Sequence, residues 1–249
     1  MLNSKQFEHY LSSLDQPFTS LNEVLVNGGN ALTIDDSTRA AAAAALLARK
    51  CGHDVTLFVN ISNIISNDIY PLHMLNIILD EIQHPFEFDG LLLNDVSYAE
   101  KKVFRREFKE RLFNLNDNID QYSYISLFAK YLNLSLSNIP NHLLSINIDE
   151  LKYLVSNGVS IQNHGWDHVN YERLSKEDLI ERIQEARSWL KEHIQVDAKY
   201  FAVPFGDYFS PRINRPDLFN CWFLLTSKEK EGYIGSGIYN RSKLKLNEW

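Results

Sequence analysis

The segment that most constrains this chain is a strand, a helix and a second strand compressed into residues 31–60. Ala31 to Ile34 is a short apolar run that ends at Asp35-Asp36. Ser37 then predicts an N-cap for a helix over Thr38 to Lys50, which contains six successive alanines, Ala40 to Ala45. Gly52 closes that helix, and Asp54-Val55-Thr56-Leu57-Phe58-Val59-Asn60 predicts the next strand. Two strands joined through one helix run parallel, so at least part of the sheet is parallel. An alanine face lets the helix lie close against that sheet.

The rest of the chain repeats the theme with one interruption. Residues 5–15 read as an amphipathic helix carrying Phe7, Tyr10, Leu11 and Leu14, and Asn27-Gly28-Gly29-Asn30 as a turn before the first strand. Asp149 to Asn157 reads as a helix stopped by Gly158, and Val159 to Asn163 as a strand leading into His164. Ser175 caps a helix running to about His193, with Asp178 at the capping-box position. Tyr200 to Val203 is a strand broken at Pro204-Phe205-Gly206; Cys221 to Thr226 is another, and the tail carries Tyr239-Asn240-Arg241. Residues 61 to about 140 break the rhythm, with helical spacing in Leu72 to Ile82 and Tyr98 to Leu115. We read them as a helical insertion inside a single domain over 1–249, forming one wall or lid of a site.

Composition excludes some partners. A formal net charge of -7 argues against nucleic acid or an anionic membrane surface, while neutral glycans remain compatible. The two cysteines, Cys51 and Cys221, sit beside apolar residues and read as buried reduced thiols. The start of the chain has no apolar stretch of signal length, and no run of about 18 apolar residues occurs anywhere. The sequence as given therefore predicts a cytoplasmic protein without a transmembrane segment; oligomeric state leaves no mark on it.

The polar residues that stand out share one topological position. Asp35 and Asp36, then His164 and His168, then Pro204-Phe205-Gly206 each follow a predicted strand. In parallel α/β barrels the C-terminal strand ends build the active site. Two adjacent carboxylates and two imidazoles four residues apart can supply three ligands for a divalent metal and leave one carboxylate as a base. Singly, each signal is weak: paired carboxylates are common on solvated faces, and an HxxxH can be two surface histidines. His9, His53, His73, His84, His142 and His193 show no such pairing and read as structural or surface side chains.

Together these segments resemble the polysaccharide deacetylase, or NodB-homology, family of carbohydrate esterases. Leu32-Thr33-Ile34-Asp35-Asp36-Ser37 is similar to that family's TFDDG motif. Ile161-Gln162-Asn163-His164-Gly165-Trp166-Asp167-His168, followed by Leu174-Ser175, is similar to its second motif, and Phe201-Ala202-Val203-Pro204-Phe205-Gly206-Asp207-Tyr208 to the FAYPYG form of its third. The resemblance covers roughly residues 30–60 and 145–245. It implies a distorted (β/α) barrel with fewer than eight strands, a metal, usually zinc, held by Asp36, His164 and His168, and Asp35 as general base. The activity it implies is hydrolysis of an N-acetyl, or N-formyl, group from an amino sugar of a polysaccharide or its precursor. Backbone N–H groups of Phe205 or Gly206 would face the oxyanion, and Trp166 would stack on a sugar ring.

The chain also departs from that pattern. Ser37 replaces the usual glycine, and Ala202 stands where many members carry an arginine that orients the base. Arg241 is the candidate to reach that carboxylate from the last strand, a surface arginine being the alternative. The family's late histidine, the general acid towards the leaving amine, has no counterpart after residue 193. His142 or a metal-bound water is then the expected acid. That gap keeps open a catalytically inactive domain that binds glycan, and a purely structural scaffold in an envelope-assembly complex.

Overall fold

The computed structural model describes residues 4–115, 117–205, 221–225, 232–235 and 238–241; beyond residue 220 the side chains described are those of Tyr239 and Arg241. The β-α-β unit forms as its sequence predicts. Strand β1 (Leu32–Asp35) pairs in parallel with β2 (Val55–Val59), joined by helix α3 (Arg39–Lys50). Ala42, Ala45 and Ala48, at successive helical turns, are the buried face of α3. Small side chains there bring the helix close to Val55, Leu57 and Val59, which point outwards from β2 into the same core cluster. Phe58, on the opposite face of β2, packs with Tyr200, Ala202 and Leu21 on the inside of the sheet.

Further strands extend this sheet on one side. They are β5 (Ser160–Asn163), β6 (Tyr200–Ala202), β7 (Cys221–Leu225), β8 (Gly232–Gly235) and β9 (Ile238–Arg241). The order is β1-β2-β5-β6-β7-β9-β8, and every pair is parallel except β8 with β9. The sheet curls so far that Arg241 of β9 touches Asp35 of the edge strand β1. A distorted, open (β/α) barrel of seven strands is the result. Helices α1 (Ser4–Ser12), α8 (Ile148–Ser156) and α9 (Lys176–Ile194) join α3 on its outside.

Residues 61–140 build a second core. It contains α4 (Ile61–Ser66), α5 (Pro71–Glu81), α6 (Tyr98–Phe113) and α7 (Asn118–Tyr131), with a hairpin of β3 (Phe86–Phe88) and β4 (Leu91–Leu93). Phe88, Phe104, Phe108 and Phe128 are buried at its centre, with ring centroids 4.8 Å apart for Phe88–Phe128 and 4.9 Å for Phe108–Phe128. A single bridge from Ile69 to Leu144 ties this unit to the segment that follows it, which is bridged in turn to the start of α3 through Thr38 and Ser145.

Several sequence expectations need correction. Thr38, not Ser37, caps α3: its hydroxyl accepts from the Ala41 amide at 3.1 Å, while Ser37 is fully buried and bonds elsewhere. The reason is Asp36, whose φ of 74° turns the chain inwards by one residue before the helix begins. The Asp178 carboxylate accepts a hydrogen bond from the Ser175 hydroxyl at 2.7 Å, in place of the capping-box bond to the backbone. Cys51 is a free thiol but only partly buried. The sequence reading also passed over α2 (Leu21–Asn27), α7 and the hairpin. Among the described residues, no helix is long and apolar enough to cross a membrane.

Candidate active site

Strand ends β1, β2 and β5 are locked together by buried polar groups before any reactive side chain is considered. Asn60, the residue after β2, donates its side-chain N–H to the His164 carbonyl at 2.6 Å, and its amide donates to Ser37 Oγ at 2.9 Å. Ser37 Oγ donates in turn to the Asn60 carbonyl at 3.1 Å, and the Ser37 amide to Tyr70 Oη at 2.7 Å. Tyr70 Oη donates to Asn60 Oδ1 at 3.0 Å, closing the circuit. Fully satisfied buried networks of this kind fix one geometry, because each lost bond would strand a desolvated group.

On this frame the sequence-predicted residues Asp36, His164 and His168 come together. Their ligand-type atoms all lie within 4.8 Å of one another. Asp36 Oδ1 is 3.6 Å from His164 Nε2 and 3.3 Å from His168 Nε2. His164 Nδ1 lies 2.8 Å from the Ala202 carbonyl, which can only accept, so the proton sits on Nδ1 and the Nε2 lone pair faces Asp36. Asp36 Oδ1 is buried with no hydrogen-bond partner among the described residues. Burial, opposed by His164 and reinforced by the Asp35 charge, raises the Asp36 carboxyl above its ordinary value. Burial likewise lowers both imidazoles, His168 to about 4. Two neutral imidazoles and an orphaned carboxylate oxygen converging on one point form a donor set that fits a divalent cation.

Asp35 points the other way. Arg241 grips it with both terminal nitrogens, Nη1 to Oδ1 at 2.8 Å and Nη2 to Oδ2 at 2.7 Å, and Nη1 also reaches Thr33 Oγ1 at 3.0 Å. Burial alone would push the Asp35 carboxyl up; Arg241, with smaller help from His164 and His168, overrides it and holds the group down at about 2. Adjacent carboxylates on one strand end thus have opposite environments.

The loop between the two histidines is shaped by Gly165 and Tyr171. Gly165 has φ 96°, and a Cβ there would lie 2.1 Å from Tyr171 Oη. Its amide donates to Asn163 Oδ1 at 2.6 Å, and the Trp166 amide to Tyr171 Oη at 3.0 Å. Asp167, buried, pairs with Arg182 of α9 and ties the loop to the barrel wall.

Beside the cluster lies a cavity of about 200 Å³ lined by Asp36, Tyr70, His73, Arg105, His168 and Phe205, among others. Phe205 meets His168 edge-on at 4.3 Å and Phe113 of α6 at 4.3 Å. Pro204 is buried beside it. Trp166 is half-buried against the core around α3 and does not line the cavity; Gly206 lies outside the described residues. Sequence reasoning missed Asn60, Tyr70, His73 and Arg105. Asn60 could have been found, because it directly follows β2 as Asp36 follows β1 and His164 follows β5. Tyr70, His73 and Arg105 reach the cavity from the insertion, and no local pattern marks them.

The polysaccharide deacetylase family model matches residues 29–215. No curated protein sequence matches this chain. Among solved structures, the Streptococcus pyogenes deacetylase PplD in complex with acetate is 14% identical, with a TM-score of 0.58, covering 99% of this chain and 83% of its own. The BpsB deacetylase domain from Bordetella bronchiseptica is 9% identical, with a TM-score of 0.52, covering 96% and 83%. BC0361, a polysaccharide deacetylase from Bacillus cereus, is 11% identical, with a TM-score of 0.51, covering 96% and 56%. At these identities the neighbours speak for the fold alone. The family match carries the assignment: it spans most of the sequence, and the chain belongs to the polysaccharide deacetylase family.

Proposed function

We propose that this protein is a metal-dependent hydrolase that removes an N-acetyl, or N-formyl, group from an amino sugar of a polysaccharide or its precursor. The observation that carries the reading is the convergence of Asp36, His164 and His168 within 4.8 Å beside a second carboxylate held apart from them. A divalent ion at those ligands, zinc above all, supplies Lewis acidity that acidifies water and favours negative charge on a carbonyl oxygen.

The chain's own residues supply the rest. Asp35 accepts the proton of the attacking water on a lone pair that Arg241 leaves open. Arg241 keeps that carboxylate ionised and fixed, standing in for the arginine absent at Ala202, at some cost in basicity. His164 is oriented through Ala202 and Asn60, so its Nε2 stays in line with Asp36 and His168. Phe205 closes one side of the cavity and shields the reacting amide from bulk water. In the same reading the chain is one domain, and the insertion over 61–140 forms the wall that selects the sugar.

Elemental analysis of protein dialysed against trace zinc, with acetate release from oligomers of N-acetylglucosamine, tests this. About one equivalent of zinc, lost in His164→Ala together with acetate release, is the expected result. Saturable glycan binding without turnover in zinc-loaded protein would favour the inactive binding domain, the reading that the missing late histidine keeps alive.

A further inference from the structure

Amide hydrolysis needs a proton at the departing nitrogen, because an amide anion is too basic to leave. Among the described residues, the titratable groups lining the cavity are Asp36, Tyr70, His73, Arg105 and His168. Asp36 and His168 belong to the ligand set. Tyr70 has its hydroxyl proton engaged by Asn60 Oδ1, and burial raises its pKa far above the ordinary phenol value. Arg105 does not give up a proton at physiological pH. His142, the acid expected from sequence, is exposed in a 3-10 turn and does not line the cavity.

His73 remains. It sits in the first turn of α5, its amide bonded to the Tyr70 carbonyl at 2.9 Å and its ring packed against the Tyr70 edge at 5.8 Å. Its Nδ1 is buried and has no hydrogen-bond partner among the described residues. A buried, unpaired imidazole nitrogen costs stability unless something occupies the site to meet it. Asp35 is held by the last strand and His73 by the insertion, so base and imidazole approach Asp36 from different elements.

We propose that His73 is a catalytic residue that donates the proton to the leaving amine of the sugar. The inference rests on the deacetylase reading above. In the step it describes, the C–N bond of the tetrahedral adduct breaks and its electron pair goes to nitrogen. The His73 imidazolium N–H proton moves to that nitrogen, and the adduct oxygen re-forms the carbonyl. Asp35 retains the proton taken from water and later yields it to solvent, from which His73 is reprotonated. The products are acetate and a free amine. An amine is the stronger base, so the transfer runs downhill.

Leaving-group dependence separates this role from a structural one. Zinc-loaded wild-type protein, His73→Gln and Lys109→Met are compared on the trisaccharide of N-acetylglucosamine and on 4-nitrophenyl acetate, whose leaving group needs no proton. Lys109 is included as the rival donor, its ammonium 4.6 Å from the Phe113 ring and 5.3 Å from that of Phe205. His73→Gln is expected to lose on the order of 10²–10⁴ in acetate release from the trisaccharide. It should keep ester turnover and bound zinc at wild-type levels. Equal loss on both substrates, no loss on either, or amide-selective loss in Lys109→Met instead overturns the assignment. Wild-type protein that binds zinc yet fails on the trisaccharide overturns the deacetylase reading itself, and His73 as its acid with it.

Discussion

The barrel rim and the insertion are built on opposite principles. At the rim, small and polar side chains converge: Ala42 and Ala45 let α3 approach, and Ser37, Asn60 and Tyr70 satisfy one another in a closed circuit. In the insertion, stacked and tilted aromatic rings fill space, with Phe108 alone touching Phe88, Phe104, Tyr124 and Phe128. Directional bonds fix positions to fractions of an ångström, whereas apolar packing fixes volume and tolerates repacking. The rim therefore fixes the ligand set and the base, and the insertion shapes the cavity, with Tyr70, His73 and Arg105 among the points where the second enters the first.

The largest effect that would test this division is Asp35→Asn. An amide cannot take the proton of water, so turnover should fall on the order of 10²–10⁴ while zinc content stays near wild type; the melting temperature drops, because the Arg241 guanidinium loses its charged partner. Zinc lost along with turnover would mean the two carboxylates act as one unit and the rim is not resolved into separate roles. Phe108→Ala attacks the other region. It empties a fully buried site and should cost about 3–5 kcal/mol. If the insertion is an independent packing unit, thermal unfolding should gain an early step with zinc still bound. One cooperative transition that releases zinc would erase the distinction.

Gly165→Ala probes how little slack the rim has. The added carbon would stand 2.1 Å from Tyr171 Oη and 2.6 Å from its Cζ, and Tyr171 is itself buried. With left-handed backbone strain added, we expect about 3 kcal/mol of destabilisation. Zinc affinity should weaken as well, because His164 and His168 flank the same loop. A variant with wild-type melting and zinc binding would show that Tyr171 can move aside.

What was legible in the sequence follows the same division. The β-α-β unit could be read because its strands are apolar and its helix carries a small-residue face, both local patterns. The ligand set could be read because strand ends concentrate function. The insertion resisted because its core is assembled from rings far apart in sequence, such as Phe88 and Phe128, with weak helical periodicity in α7. The hairpin was present as Asp89-Gly90 between Phe86–Phe88 and Leu91–Leu93, a two-residue turn with φ 49° and 73°. Helix α2 was missed because it buries only Leu21, which leaves no apolar stripe to detect. His73 was read as an ordinary side chain because its neighbours, Asp36 and His168, lie 37 and 95 residues away in sequence.

The smallest effect concerns Arg241, which joins the two ends of the curled sheet. Asp35 is held at about 2 against an ordinary 3.8, so its ionised form is favoured by about 2 kcal/mol in the folded state. That contribution is fully present above pH 3.8 and is lost as pH falls towards 2. In Arg241→Gln the burial remains and the guanidinium is gone, so the Asp35 carboxyl rises. The variant should lose at least about that amount of stability at neutral pH. The acid limb of its turnover profile should move to higher pH, because Asp35 now protonates sooner. Other groups at the rim also titrate in this range, His168 at about 4 among them, yet they are common to both proteins. The difference between the two profiles therefore isolates Asp35. Coincident acid limbs would mean that Asp35 does not govern the reaction, and that the Arg241 contact serves only to close the barrel.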